Sequence, residues 1–595
     1  MDYKQRSEIE EKYKWDLMPL YSSDEDFDTD FNKIKNEINN ITKYENKVME
    51  SANNLYESLE MYYDLLNKIS KLYIYASLKH DEDLGNNKYA LYYNKAYSLY
   101  SEFLSLSSFI TPEILKASKE IINEYLSENR LKKYRFLVEE LFRYKKHTLT
   151  SHEEQIIHKL TANSGVFDKL NSTILNSTLK YGSIDIGGKE VTITNSNYRN
   201  IMMNKDQNIR EKCYNLMSEK LKEFSNIFGD ILIASMKEYS TYAEIKKYNS
   251  TMEMQLYSSN IPNNVLNNLY STVNKRLDVY QKYLRFLRRN LNLDKLKYYD
   301  LNAEYLSSDK EYTIEDATKL ITEATNVYGK RYNDIINKAF KERWIDFGSY
   351  QGKKSGAYCT AIYNYHPYIL TNFHHKFTDV SAVAHELGHA VNFYLSMENN
   401  NSFDYENDIF VAEVASLTNE IVLSNYILNN TTDKNVKLEV IANLIDIIQN
   451  NLFDACLEGE LENQMYKLID SKEEIDASIL SDCIYNLRKK YYGNEVELDD
   501  NVKYMWARRL HYFSPFYLYQ YATGVSSAIN VALNIINGNE EFKNKYIDFL
   551  SKGSTDYPIN LLKNLGIDMT NSDVINKAID YFDYLLDLYS KVGDE

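Results

Sequence analysis

Apolar and aromatic side chains recur at i, i+3 and i+4 through most of this chain, most plainly in LYESLEMYYDLLNKISKLYIYASL. That period predicts several long amphipathic helices over 30–145. The abundant tyrosines fit the same stripes, burying a ring while the hydroxyl reaches water. The period changes at 181–195, YGSIDIGGKEVTITN, where alternating Ile, Val and Thr flank Gly187-Gly188; this is a hairpin signal. Helical periodicity returns from 200 to about 345. It breaks again over 347–377, where small residues, alternation and Pro367 predict two or three short strands. From 379 to the end the pattern is helical. These changes predict an N-terminal helical domain, 1–195, ending in the hairpin, and a second domain, 196–595. No Pro- or Gly-rich linker marks the junction, so the two parts are expected to pack together.

Composition supports a mainly α fold. Gly 18 and Pro 6 in 595 residues make about 4%, against an average near 12%, too few for the turns of an all-β sandwich or barrel. Lys+Arg 69 against Asp+Glu 86 gives a net charge of −17, which argues against nucleic acid as the main partner. Cys213, Cys359, Cys456 and Cys483 are far apart in sequence and read as free thiols of a reducing compartment. The opening MDYKQRSEIEEKYKWDL is charged throughout, and no window approaches 18 uninterrupted apolar residues. The expectation is a soluble, cytoplasmic protein with no membrane partner.

The chemistry sits in DVSAVAHELGHAVNFYL, with Asp379 as the expected N-cap. His385 and His389, at i and i+4, share one helix face, so both imidazoles can reach one zinc ion. Glu386 follows the first histidine and can act as general base. With only 10 His in 595 residues, chance predicts H-E-x-x-H on the order of 0.01 times. Gly388 costs about 1 kcal/mol inside a helix, so close packing or access at that turn is its expected reason.

A catalytic zinc needs a third protein ligand and an open position. Glu413 lies in otherwise apolar text, FVAEVAS, where a lone carboxylate is costly unless it is paired or bound to metal. Glu420, seven residues on, shares its face and could orient a ligand histidine; a solvated position fits the pattern equally well. A third element, WARRLHYFSPFYLYQYATG, sets His511, Tyr517, Tyr519 and Tyr521 around Pro515. It reads as a loop turning into a helix. Its imidazole and phenol donors could stabilise an oxyanion, although aromatic packing explains the stretch as well.

Taken together these residues resemble the M3 family of zinc metallopeptidases, of the oligoendopeptidase F type. The resemblance runs nearly the whole chain. It includes Trp15-Asp16-Leu17 with Tyr21, the stretch Tyr298-Tyr299-Asp300-Leu301, and then KKSGAY, PYILTNF, HELGH, FVAEVAS and the 511–521 run in the family's order. It implies a mostly helical two-part molecule with a deep substrate channel and a small β-sheet beside the zinc helix. It also implies one zinc per chain, held by His385, His389 and Glu413, with Glu386 as base and Glu420 behind a ligand. His511, Tyr517 and Tyr521 would face the tetrahedral intermediate, with Tyr519 the alternative to Tyr517 by spacing. Gly356, Ala357, Tyr358 and Tyr519 would bind substrate, the 355–373 stretch pairing with an extended peptide by β-addition.

The implied function is hydrolysis of internal bonds in short oligopeptides. Two alternatives stay open: an exopeptidase of the dipeptidyl carboxypeptidase kind, and a non-catalytic peptide-binding protein. The intact Glu386 speaks against the second. Monomer and homodimer are both compatible with the sequence. If acidic groups line the substrate site, the −17 charge predicts a preference for basic peptides.

Overall fold

The computed structural model describes residues 3–150, 153, 154, 156, 157, 165–306 and 308–594. The chain is mainly α-helical, with three small sheets among the described residues. It divides into two compact units, each assembled from three stretches of sequence: 1–148, 310–427 and 531–565 in the first, and 149–309, 428–530 and 566–595 in the second. No helix among the described residues is long and apolar enough to cross a membrane.

In the first unit the long helices Ala52–Glu82 and Asn87–Leu106 follow the helix Asp24–Glu37 and pack on each other. Ser51 caps the first by accepting from the Asn54 N–H, and Leu55, Leu59, Ile69, Leu72 and Ala76 form its buried stripe. The tyrosines depart from expectation in one respect. Their rings are buried, with Phe27 and Tyr92 stacked at 4.4 Å, but many hydroxyls end on carboxylates. Tyr21 donates to Asp30 at 2.6 Å, Tyr92 to Asp28 at 2.8 Å and Tyr134 to Glu60 at 2.7 Å. A buried phenol needs an acceptor, and an ionised carboxylate is a stronger one than water.

The 347–377 region supplies two strands, Tyr358–Thr360 and Tyr368–Leu370, and Ile345–Asp346 just before it supplies a third. Their order is Ile345–Asp346, Tyr368–Leu370, Tyr358–Thr360, so Tyr358–Thr360 is an edge. Lys353, of the KKSGAY stretch, is wholly buried, 2.7 Å from the equally buried Asp346, and donates to the carbonyls of Gly348 and Thr371 at 2.6 Å. This ion pair, with Arg6 2.6 Å from Asp346, clamps the sheet to the chain's start.

Two further helices carry the motif residues, Phe377–Asn399 and Ile409–Asn430. Asp379 is not the N-cap of the first. The helix begins at Phe377, and Asp379, its third residue, accepts from the N–H groups of His374 and Lys376 at 2.9 and 2.8 Å. A carboxylate in the first turn satisfies otherwise unpaired amides just as a cap would, from inside the helix. The two helices cross backbone to backbone at Gly388, where a Cβ would lie 2.6 Å from the Ala415 carbonyl oxygen and 2.7 Å from Ser416 Cα. That contact is why glycine interrupts the motif helix.

In the second unit the hairpin forms as Ser183–Ile186 paired with Lys189–Thr192, with Gly187 and Gly188 at φ of 63° and 82° that only glycine adopts readily. Leu296–Lys297 and Val496–Glu497 make a parallel pair; two-residue strands are too short to leave a period in sequence. Asp300, of the YYDL stretch, is fully buried and 2.7 Å from Arg210. Helices including Gln207–Glu223, Ser225–Ile245, Ala455–Asp470 and Ala477–Tyr492 enclose this core.

Candidate metal centre

Helical spacing puts His385 and His389 side by side, their rings 5.0 Å apart. The close crossing at Gly388 brings the second helix, and Glu413 with it, up to the same face. Glu413 Oε2 lies 3.2 Å from His385 Nε2 and 3.6 Å from His389 Nε2, and one donor atom from each of the three residues lies within 4.8 Å of the others. Two imidazole nitrogens and a carboxylate oxygen are a zinc donor set, and tetrahedral bonds of 2.0–2.1 Å place neighbouring donors about 3.3 Å apart. The observed separations of 3.2 and 3.6 Å bracket that value. The three residues therefore fit the ion.

Behind them, Glu420 Oε1 is 2.8 Å from His385 Nδ1, and its other oxygen accepts from the Ser381 hydroxyl. Glu420 is buried, so the solvated alternative does not hold. Ser381, four residues before His385 on the same face, was not singled out by sequence; that spacing is the only trace it leaves. Asn419 ties the crossing further, donating to the Ala384 carbonyl at 3.1 Å and accepting from Tyr332 at 2.7 Å.

Electrostatics follow from this packing. Burial opposes ionisation of Glu413, but hydrogen bonds from the two histidines outweigh it and hold the carboxyl well below its usual range. Glu386 is buried, and burial pushes its pKa up against the pull of His385 and His389. Its field reaches the half-buried Cys359, whose thiol is raised first by desolvation and then by Glu386. The edge strand Tyr358–Thr360 thus runs beside the carboxylate, packed against the motif helix. Gly356, at φ 85°, turns the chain into that strand, and Asn372 donates to its carbonyl at 2.8 Å. The Tyr358 hydroxyl is engaged with Asp81 at 2.7 Å.

In the second unit, His511 lies on a short 3₁₀ turn, Leu510–Phe513, and Tyr521 on the helix Tyr519–Ile536. The His511, Tyr517 and Tyr521 rings cluster, at 6.0 Å for each histidine–tyrosine pair and 5.4 Å between the tyrosines. All three are half-buried, whereas Tyr519 is 3% exposed. Burial lowers the pKa of His511, and Arg509 lowers it further, which favours the neutral ring.

A mainly helical chain that sets HELGH against a glutamate on a crossing helix has the architecture of a metallopeptidase. The model of the peptidase family M3 matches residues 200–581 and that of oligopeptidase F residues 113–181; the chain belongs to family M3. It is 31% identical to oligopeptidase PepF of Bacillus subtilis over 98% of this chain and 87% of that protein. It is also 31% identical to an oligoendopeptidase F homolog of Borreliella burgdorferi over 99% of each. The crystal structure of oligoendopeptidase-F from Enterococcus faecium is similar with a TM-score of 0.75 at 26% identity, covering 96% of this chain and 99% of that one.

Proposed function

We propose that the chain is a zinc-dependent endopeptidase that hydrolyses internal bonds of short oligopeptides, with His385, His389 and Glu413 as metal ligands and Glu386 as general base. The observation that carries this reading is the joint geometry of the three donors and Glu420, which fixes His385 so that Nε2 faces the other ligands. When bound, zinc supplies Lewis-acid polarisation of the scissile carbonyl and acidifies a coordinated water. Glu386 takes the proton of the attacking water as its oxygen bonds to the carbonyl carbon. It then gives that proton to the amine nitrogen as the C–N bond breaks. His511, Tyr517 and Tyr521 donate to the developing oxyanion. Tyr519, buried, has little surface to offer a ligand, which favours Tyr517 in that role.

An extended peptide would pair with the open side of the Tyr358–Thr360 edge, its backbone read at Gly356, Ala357 and Tyr358. This reading keeps an N-terminal module to residue 195 and a catalytic module from 196; the family matches, 113–181 and 200–581, fall on either side of that boundary. Four free cysteines suit a reducing cytoplasm.

The deciding experiment is Glu386→Gln. It retains zinc and peptide binding but loses turnover by a factor of at least about 10²; near-normal turnover of the zinc-loaded variant would sink the assignment. Peptides blocked at both ends separate this reading from an exopeptidase, which does not cut them.

A further inference from the structure

The second unit contains a cavity of about 410 Å³, within the range of ligand pockets. In a chain of net charge −17 its wall is unusual: the guanidinium groups of Arg199, Arg488, Arg508 and Arg509 outnumber the carboxylates of Asp454 and Glu458.

Both carboxylates are already engaged. Glu458 is shared by Arg488 at 3.4 Å and Arg509 at 3.8 Å and accepts from the Tyr512 hydroxyl, while Asp454 accepts from Tyr280 at 3.3 Å. The arginines keep donors in reserve. Arg488, only 3% exposed, leaves Nε without a hydrogen bond. Arg508 stacks 4.0 Å over the Tyr198 ring and donates only to Asn195, with no carboxylate within ion-pair reach among the described residues; burial accordingly pulls its pKa down. The side chain of Arg199, an exposed residue of the wall, has neither a hydrogen bond nor an ion pair among the described residues. Guanidinium groups withdrawn from water, as those of Arg488 and Arg508 are, are normally compensated by an anion. Forked N–H donors on a tyrosine-lined wall match a planar carboxylate attached to an apolar body.

We propose that this cavity is a carboxylate-binding subsite that receives the C-terminal end of the peptide substrate. The inference rests on the peptidase reading for its ligand. His511, which that reading assigns to the intermediate, lines the same cavity. The subsite selects the end of the peptide that enters, and leaves the bond cut to the metal centre. It also reverses, for this part of the substrate, the preference for basic peptides that net charge alone suggests.

The test is the affinity of one peptide sequence made as free acid and as carboxamide, measured by calorimetry on zinc-loaded Glu386→Gln protein. The carboxamide is expected to bind about ten- to a hundredfold more weakly, the range of lost charge-assisted hydrogen bonds. Arg199→Gln and Arg509→Gln, which avoid the buried Arg488, each narrow that gap, whereas Arg289→Gln, on an exposed stretch outside the cavity, leaves it unchanged. Excess inorganic phosphate weakens the acid and spares the carboxamide, and an internal Asp does not substitute for the terminal group. Equal affinities of acid and carboxamide, a gap that survives both cavity variants, or equal competition by phosphate against both peptides would overturn the subsite while leaving hydrolysis intact. If Glu386→Gln instead remains active, the mechanism fails, and the ratio of wild-type KM for acid and carboxamide reads the subsite on its own.

Discussion

Glu420 Oε1 lies 2.8 Å from Nδ1 of His385, so the nitrogen that faces Glu413 is set by a carboxylate on the neighbouring helix. A histidine held this way does not need to choose a tautomer or a ring orientation when metal arrives. Glu420→Ala is therefore expected to weaken zinc binding about 10- to 100-fold, read by competition with a chelating dye. Unchanged affinity would leave the hydrogen bond as packing alone.

Gly388 offers a test in which the sign decides. Glycine-to-alanine inside a helix ordinarily stabilises by roughly 0.5–1 kcal/mol. Here the new methyl would meet the Ala415 carbonyl oxygen at 2.6 Å and Ser416 Cα at 2.7 Å. Gly388→Ala should destabilise by about 1–3 kcal/mol and separate the ligand helices, lowering thermal midpoint and zinc affinity together. A higher midpoint would show that the crossing can relax.

The half-buried Tyr517 and Tyr521 can be distinguished from the buried Tyr519. Tyr517→Phe and Tyr521→Phe are expected to lower kcat about 10²- to 10³-fold, the range for loss of one oxyanion donor, with zinc affinity unchanged. Tyr519→Phe should leave kcat within a few-fold. A loss seen only at Tyr519 would reassign the donor.

Glu462 makes stability depend on pH. Its buried carboxyl accepts from the Phe516 N–H at 2.7 Å, holding a residue at φ 55° directly before Tyr517. Burial pushes its pKa up to about 8, against about 4.3 in the unfolded chain. The folded state thus holds this proton more tightly. Its contribution is fully present below about pH 4.3 and is lost as pH rises towards about 8. Glu462→Gln, which keeps an acceptor for the amide, should flatten the fall in thermal midpoint over that window. An equally steep fall would assign the dependence to other groups.

How far the sequence could be read depended on whether a contact is local. The spacing of His385, Glu386 and His389 is set by one helix, and the cost of isolating Glu413 in FVAEVAS shows without a fold. The strands after Pro367 and around Gly187-Gly188 likewise announce themselves by alternation and turn residues. Gly388 in the middle of a helix signalled close packing, but which helix crosses there, and the parts of Ser381 and Asn419, depend on two helices meeting, which no period records. The arginine-lined cavity draws Arg199, Glu458, Arg488 and Arg509 from separate elements, so no segment carries its signature. Net charge even pointed the other way, because a whole-chain sum averages out a local surplus.

The metal centre's unit includes chain made well after the motif helix itself. Asn392 of the motif helix donates to the Leu550 carbonyl at 2.8 Å, and Asn400 to that of Ser551 at 2.7 Å. The unit is completed only by residues 531–565 of a 595-residue chain. At about 5–20 residues per second on the ribosome, the HELGH helix waits roughly 8–30 s for the segment that docks against it. A nascent or truncated chain ending before that segment therefore carries every catalytic side chain proposed here and still lacks part of the scaffold against which the motif helix docks.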